Sequence, residues 1–246
     1  MAEKKELNPD QQIKDLKAMV EESEAFNIRQ RVLSREFAAG ASDLIEESRR
    51  DKLMGFLTRE AFLEEVAGYF EREKIKGEQG IMHGAILFLD VDKFKDFNTK
   101  YGEPGGDRAL QEVAKTLPSI LHSKIRNELN NERRKNSPGV PDIFCKWGGE
   151  EIVVFLPGAK AQETLKSLMQ QERIPKLGEI KVKMSVKESP EPMEETLTFS
   201  GVLADYVPGN LQGLEKELDA KVGEVSKMLP QAKAEGRNRI LLYNEI

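Results

Sequence analysis

The 246-residue sequence predicts an α/β fold built around one sheet. Three observations carry this. Short apolar runs of strand length alternate with stretches of helical periodicity. One continuous apolar run, Ala85 to Leu89, ends in an aspartate, as a buried central strand does. Two further strand-like runs, Ile143 to Trp147 and Ile152 to Leu156, flank Gly148 and Gly149 and form a hairpin signal.

Residues 1–50 are charged and read as a helical extension. Ile13, Leu16, Met19 and Val20, then Phe26, Val32, Leu33 and Phe37, make one apolar stripe. That stripe fits equally a helix packed on its own domain and a helix paired with its twin in a dimer. Gly40 interrupts it, and a second helix is predicted over Ser42 to Arg50. From Asp51 onward the sequence reads as one domain, 51–246. Ala61 to Phe70 is helical. Leu110, Val113, Ala114, Leu117 and Leu121 mark the apolar face of a helix over Gly106 to Leu121. The polar, basic stretch 122–138, bounded by Pro138 and Gly139, reads as an extended helix end or an exposed excursion. A helix over Ala161 to Gln171, strands over Ile180 to Val186 and Leu197 to Ala204, a helical stretch from Leu211 to Ala234 and a last strand, Ile240 to Tyr243, complete the chain.

Composition excludes several functions. No run approaches the roughly 18 apolar residues of a membrane span, and none near Met1 resembles a signal peptide, so the expectation is a soluble, cytoplasmic chain with no membrane partner. One cysteine, Cys145, excludes an internal disulfide, and two histidines, His83 and His122, argue against a histidine-built zinc site. A net charge of −5 argues against nucleic acid as a partner. Cys145 and Trp147 alternate on a strand and read as packing residues.

Carboxylates are the remaining candidates for a metal. Asp90 and Asp92 end the apolar run, and Glu150 and Glu151 follow the glycine turn, so adjacent strands can bring them to one sheet edge. Mg²⁺ takes one or two carboxylates and completes its shell with water and substrate phosphates. An acidic pair after a strand is also a common turn or helix cap, and Asp92 is expected to hold the turn.

Read together, LDVDKFKDFNTKYGEPGGD (89–107) and KWGGEEIVVFLP (146–157) resemble the GGDEF family of diguanylate cyclases. DKLMGFLTREAF (51–62) is similar to the family's opening motif and AKAEGRNRILLY (232–243) to its closing one. The resemblance implies a palm-like, mostly antiparallel sheet of about five strands flanked by helices, as in nucleotide cyclases and polymerases. It implies Asp90, Glu150 and Glu151 as metal-binding and catalytic carboxylates, with Glu151 assisting the metal or acting as base and the backbone of Val91 adding a carbonyl. Asn98 and Asp107 match the guanine-reading positions, and Lys95, Lys233 and Arg237 the phosphate-contacting ones, beside Gly148 and Gly149 of the turn. The implied activity is condensation of two GTP into cyclic di-GMP with Mg²⁺, or Mn²⁺ in its place, across a homodimer. The implied alternatives are a catalytically inactive GTP-binding module acting through protein partners, and a cyclase of another cyclic dinucleotide. Residues 1–50 would supply a dimerisation or signalling helix open to an upstream signalling protein.

The chain departs from the family pattern in places. Thr99, Glu103, Lys146 and Ile152 replace the more usual Asp, His, Arg and Phe, and Glu150 stands where Asp is more usual. Pro230 replaces a tyrosine and predicts a kink just before Lys233. In the family's inhibitory product site Asp142 matches the acid, but Gly139 stands where the arginine would be, so product feedback is expected to be weak. Arg126, Arg133 and Arg134 are the nearby residues that could take that arginine's place.

Overall fold

A computed structural model describes residues 29–30, 40–122, 140–169, 174, 176–184 and 193–243. The chain divides into two units, Met1–Ser48 and Arg49–Ile246. In the first, residues 40–48 are helical with Gly40 inside the helix, so the predicted second helix begins earlier and ends before Arg50. The rest of the predicted N-terminal helix, apart from residues 29–30, lies outside the described residues, as does the excursion beyond His122.

The second unit carries a five-stranded sheet of order β2-β3-β1-β6-β7. Its strands are β1 (Gly84–Val91), β2 (Ile143–Lys146), β3 (Glu151–Pro157), β6 (Phe199–Tyr206) and β7 (Arg239–Leu242). β1 runs antiparallel to both β3 and β6, β2 is antiparallel to β3, and only β6 and β7 are parallel. The mostly antiparallel sheet is therefore as expected. A separate two-stranded sheet pairs β4 (Ile180–Met184) with β5 (Met193–Leu197).

β1 is buried along its whole length, which is why its sequence shows no alternation. Its side chains still divide between two cores. Ala85, Leu87, Leu89 and Val91 face helices α2 (Phe94–Tyr101) and α3 (Glu103–Leu121) through Phe94, Phe97, Leu110, Val113 and Leu117. Ile86 and Phe88 face α1 (Arg59–Ile75) and α5 (Leu214–Ser226) through Phe62, Val66, Phe70, Leu218 and Val222. Edge-on rings tie α1 to β3, with Tyr69 and Phe70 at 5.6 and 5.5 Å from Phe155. Helix α4 (Ala161–Met169) takes its first turn from Asp205, whose carboxylate accepts the Ala161 N–H at 2.7 Å.

Two predicted elements are corrected. The run Leu197 to Ala204 is not one strand: the chain leaves β5 at Leu197, turns at Thr198 and enters the main sheet as β6 at Phe199. The stretch 211–234 is not one helix: α5 ends at Ser226 and α6 (Leu229–Ala234) starts anew with Pro230 in its first turn. Pro230 thus begins a helix instead of kinking one, because its missing N–H falls where no intrahelical bond is due. α2 and β5 had no counterpart in the sequence reading.

Candidate active site

The site is built where β1 ends. Asp90 lies directly opposite Glu151 in the β1–β3 register. Because Ile86 and Phe88 share a core with Val153 and Phe155, alternation puts Asp90 and Glu151 on that same face. Asp90 is only 5% exposed, and Lys233 of α6 reaches it, Nζ to Oδ1 at 2.7 Å. Burial, with Glu150 and Asp92 adding repulsion, pushes the Asp90 carboxyl above its ordinary range although Lys233 opposes the shift. Glu151 is pushed the same way, first by burial, then by Asp90 and Glu150, with Lys233 again opposing. Three carboxylates and one ammonium therefore share a field, and the negative charge exceeds what the lysine neutralises.

Among the described residues no group of three or more His, Cys, Asp and Glu is arranged to hold a metal ion. Lys233 takes one oxygen of Asp90 instead. The donor set nevertheless fits a hard cation: two carboxylates on facing strands, partly desolvated and with too little positive charge, match the demand of Mg²⁺ for oxygen ligands.

The hairpin turn is set by backbone. The N–H groups of Trp147 and Gly148 both donate to the Glu151 carbonyl, at 2.9 and 3.3 Å. A Cβ on Gly148 would come within 2.4 Å of Glu151 Oε2, whereas Gly149 has nothing within 4 Å. Gly148 thus makes room for the Glu151 carboxylate, and Gly149 faces open space. Before the turn, Lys146 pairs with Asp51 at 3.1 Å, and Asp51 also accepts the N–H groups of Leu53 and Met54. The opening motif is in this way tied to the hairpin. Ile152 is fully buried, so the core keeps its apolar side chain there.

Asp92, two residues beyond Asp90, has a different environment. Thr198 Oγ1 donates to its Oδ2 at 2.7 Å, Ser200 Oγ to its Oδ1 at 2.6 Å, and the Asn238 N–H to Oδ2 at 2.9 Å. It clasps the turn before β7, where Arg237 and Asn238 both have positive φ, 61° and 46°. Arg237 is exposed on that turn.

Past Asp92 the chain passes through Lys93, at φ 56°, into α2, and no side chain caps that helix. Its first turn carries exposed Lys95 and Asp96. Asn98 near the end of α2 sits against Gly106 of α3, one residue before exposed Asp107, because Gly102 at φ 72° folds α3 back on α2. The Asn98 amide oxygen is buried without a hydrogen-bond partner, and a Cβ on Gly106 would meet it at 1.8 Å. Such an orphan acceptor is an uncommon feature of a folded chain.

The structure thus sets a β1 carboxylate opposite a glycine-hairpin carboxylate, and the family profile described as "Diguanylate cyclase, GGDEF domain" matches residues 48–239. The chain belongs to the GGDEF family. Diguanylate cyclase DgcM of Escherichia coli K12 is 31% identical over 157 residues, covering 64% of this chain and 30% of DgcM. Diguanylate cyclase VdcA of Vibrio cholerae is 23% identical over 206 residues, covering 80% of this chain and 51% of VdcA. The chain spans 28% and 30% of the first two curated relatives it matches. Among solved structures, the coiled coil and GGDEF domain of DgcB from Caulobacter crescentus in complex with c-di-GMP aligns with a TM-score of 0.59 at 19% identity, over 93% of this chain and 99% of that one, which shows the GGDEF fold. No helix among the described residues is long and apolar enough to cross a membrane.

The structure brings Asp90, Glu150, Glu151 and Lys233 together and, separately, Asn98 with Gly106 beside Asp107. It leaves Lys95, in the first turn of α2, and Arg237, on the turn before β7, as exposed cations. Sequence reading missed the Lys233–Asp90 pair and the Thr198, Ser200 and Asn238 clasp, because both join residues far apart in the chain.

Proposed function

We propose that the chain is a diguanylate cyclase that binds one GTP per subunit and, as a homodimer, joins two GTP into cyclic di-GMP. The observation that carries this reading is the register pair of buried Asp90 and half-buried Glu151, facing one way and short of positive charge. Mg²⁺, or Mn²⁺, would be held by Asp90, Glu150, Glu151 and the Val91 carbonyl, and when bound it supplies charge neutralisation at the phosphates and a more acidic 3′-hydroxyl.

The protein groups do the rest. As the triphosphate arrives, Lys233 moves from Asp90 to the phosphates, and the uncapped start of α2 with Lys95, together with Arg237, holds the remaining oxygens. Asn98 and Asp107 present acceptors matched to the N1–H and exocyclic amine of guanine; adenine offers an acceptor at N1 and is repelled. The 3′-oxygen of each nucleotide attacks the α-phosphorus of the other, forming a P–O bond while the bond to pyrophosphate breaks, and the hydroxyl proton passes to Glu151. Positioning and electrostatics account for the rate. Residues 1–50 align the two subunits and receive the signal of an upstream protein. SiaD of Pseudomonas aeruginosa, a diguanylate cyclase whose structure was solved with its activator SiaC, shares the fold at a TM-score of 0.54 and 22% identity.

One observation favours a second reading. Lys233 sits on the oxygen a metal needs, which suits a GTP-binding module that signals through partners without turnover. Incubation with Mg²⁺ and GTP, ATP or both, followed by mass spectrometry, separates the two. Cyclic di-GMP from GTP alone, lost in Glu150→Ala, is the expected result. GTP binding by a folded dimer without product would establish the second reading, and an adenine-containing product would remove the base-reading role of Asp107.

A further inference from the structure

The hairpin turn that carries Glu150 and Glu151 is intrinsically loose. Two successive glycines give it backbone freedom, and a Cβ on one of them, Gly149, would meet nothing within 4 Å. On its strand side it is tethered by the Trp147 and Gly148 amides to the Glu151 carbonyl. Its other tether is the side chain of Trp147, which two residues of α1 meet and α5 braces through one of them.

Phe62 of α1 meets the indole edge-on, 6.2 Å between centroids. The Arg59 guanidinium carbon lies 4.4 Å from the ring centroid. The same guanidinium is fixed from behind by α5, with Arg59 Nε donating to Asp219 Oδ1 at 2.8 Å and Nη2 to Oδ2 at 2.7 Å. Arg59 is itself placed by the edge of the sheet. Leu57 donates its N–H to the Phe144 carbonyl and accepts the Lys146 N–H, each at 3.0 Å, and Thr58 caps α1. The first turn of α1 is thus held in register with the residue just before Trp147.

We propose that Arg59 is a positioning residue: held by Asp219, it clamps Trp147 and thereby fixes the turn that presents Glu150 and Glu151. The proposal rests on the reading of those carboxylates as catalytic. An exposed ion pair adds little to global stability, and a guanidinium over an indole adds little more. The fork to Asp219 is bidentate and planar, however, so it dictates where the cation sits over the ring. Loss of the clamp leaves a folded domain whose turn samples more positions, which lowers the fraction of productive geometry without removing a contact to nucleotide.

Trp147 is the sole tryptophan of the chain, so its emission reports the clamp directly. In the full chain, Arg59→Ala is expected to shift emission to the red and raise acrylamide quenching. With GTP and Mg²⁺ it is expected to lower kcat about tenfold while KM changes less than about twofold, the signature of lost positioning. Arg59→Lys keeps a cation near the ring and recovers part of both effects; Asp219→Asn, which frees the guanidinium, falls between. Unchanged emission in folded Arg59→Ala overturns the clamp. Changed emission with unchanged kcat overturns its positioning role. If Arg59→Ala does not fold, Asp219→Asn carries the same comparison. A wild-type chain that makes no product sinks the cyclase reading, and emission alone then decides whether the clamp exists.

Discussion

Asp90 and Asp92 are the same residue type, two positions apart at the end of one strand, and both are more than nine-tenths buried. Asp92 is met by three donors from protein groups, two hydroxyls and one amide. Asp90 is met by a lysine at the end of a flexible stem, and two further carboxylates press on it. The first arrangement is complete and holds a turn. The second is held by one movable cation and raises the cost of its own charge, which suits a group kept for a positively charged ligand. Burial alone therefore does not distinguish a structural carboxylate from a reactive one; the rigidity of its partners does.

The sharpest way to break this comparison is to neutralise each aspartate. Asp90→Asn is expected to cut cyclase turnover by about 10³-fold without loss of stability, because a carboxyl held above its ordinary range is one whose charge the fold disfavours. Asp92→Asn should do the reverse in kind, costing about 2–3 kcal/mol of stability as its charge-assisted bonds weaken, with turnover falling only through the displaced turn at Arg237. Thermal melts and steady-state assays on both variants check the pair. Equal loss of stability in the two would erase the distinction.

Much of this site was legible in the sequence, and the reasons are physical. β1 is long and apolar as far as Asp90, and the hairpin has glycines between two β-branched or aromatic runs, so strand and turn chemistry agree. β5 was not legible, because Met193, Glu194 and Thr196 are exposed in its two-stranded sheet and Glu195 is turned toward Lys100 and Tyr101, leaving no alternating apolar face. α2 buries only Phe94 and Phe97 in eight residues, too little for a period to show. The break between α5 and α6 was hidden because Val222, Val225, Leu229 and Ala232 continue one apolar stripe through it. Motif resemblance supplied the candidate residues, but it did not say which carboxylate Lys233 would seek.

A smaller effect is expected at the glycines. Gly148→Ala pushes against the Glu151 carboxylate and should lower kcat about tenfold, while Gly149→Ala, which enters open space, should stay within about twofold. Equal effects of the two would show that the turn acts through its backbone instead. Gly106→Ala displaces the Asn98 amide, so it is expected to raise the KM for GTP by roughly tenfold, with a lesser effect on kcat. A titration of initial rate against GTP reads this.

The smallest expected effect lies away from the site, in the buried carboxylate of Glu73. Burial would raise its pKa, but the Ile81 N–H and Lys76 together hold it below the ordinary glutamate range. A depressed folded-state pKa means stability that is present at neutral pH and lost as pH falls through that value. Glu73→Gln should therefore melt lower than wild type at pH 7, with the gap closing in acid. A gap independent of pH would mean that packing, not charge, is what Glu73 supplies.

The most direct test of the account is Mn²⁺ binding followed by electron paramagnetic resonance, with and without a non-hydrolysable GTP analogue. Wild type is expected to bind Mn²⁺ weakly alone and tightly with the nucleotide, because the phosphates draw Lys233 away from Asp90. Asp90→Asn should lose the tight binding while Asp92→Asn keeps it wherever the domain is folded. Tight Mn²⁺ binding that survives in Asp90→Asn would contradict the assignment of this sheet edge as the metal and nucleotide site.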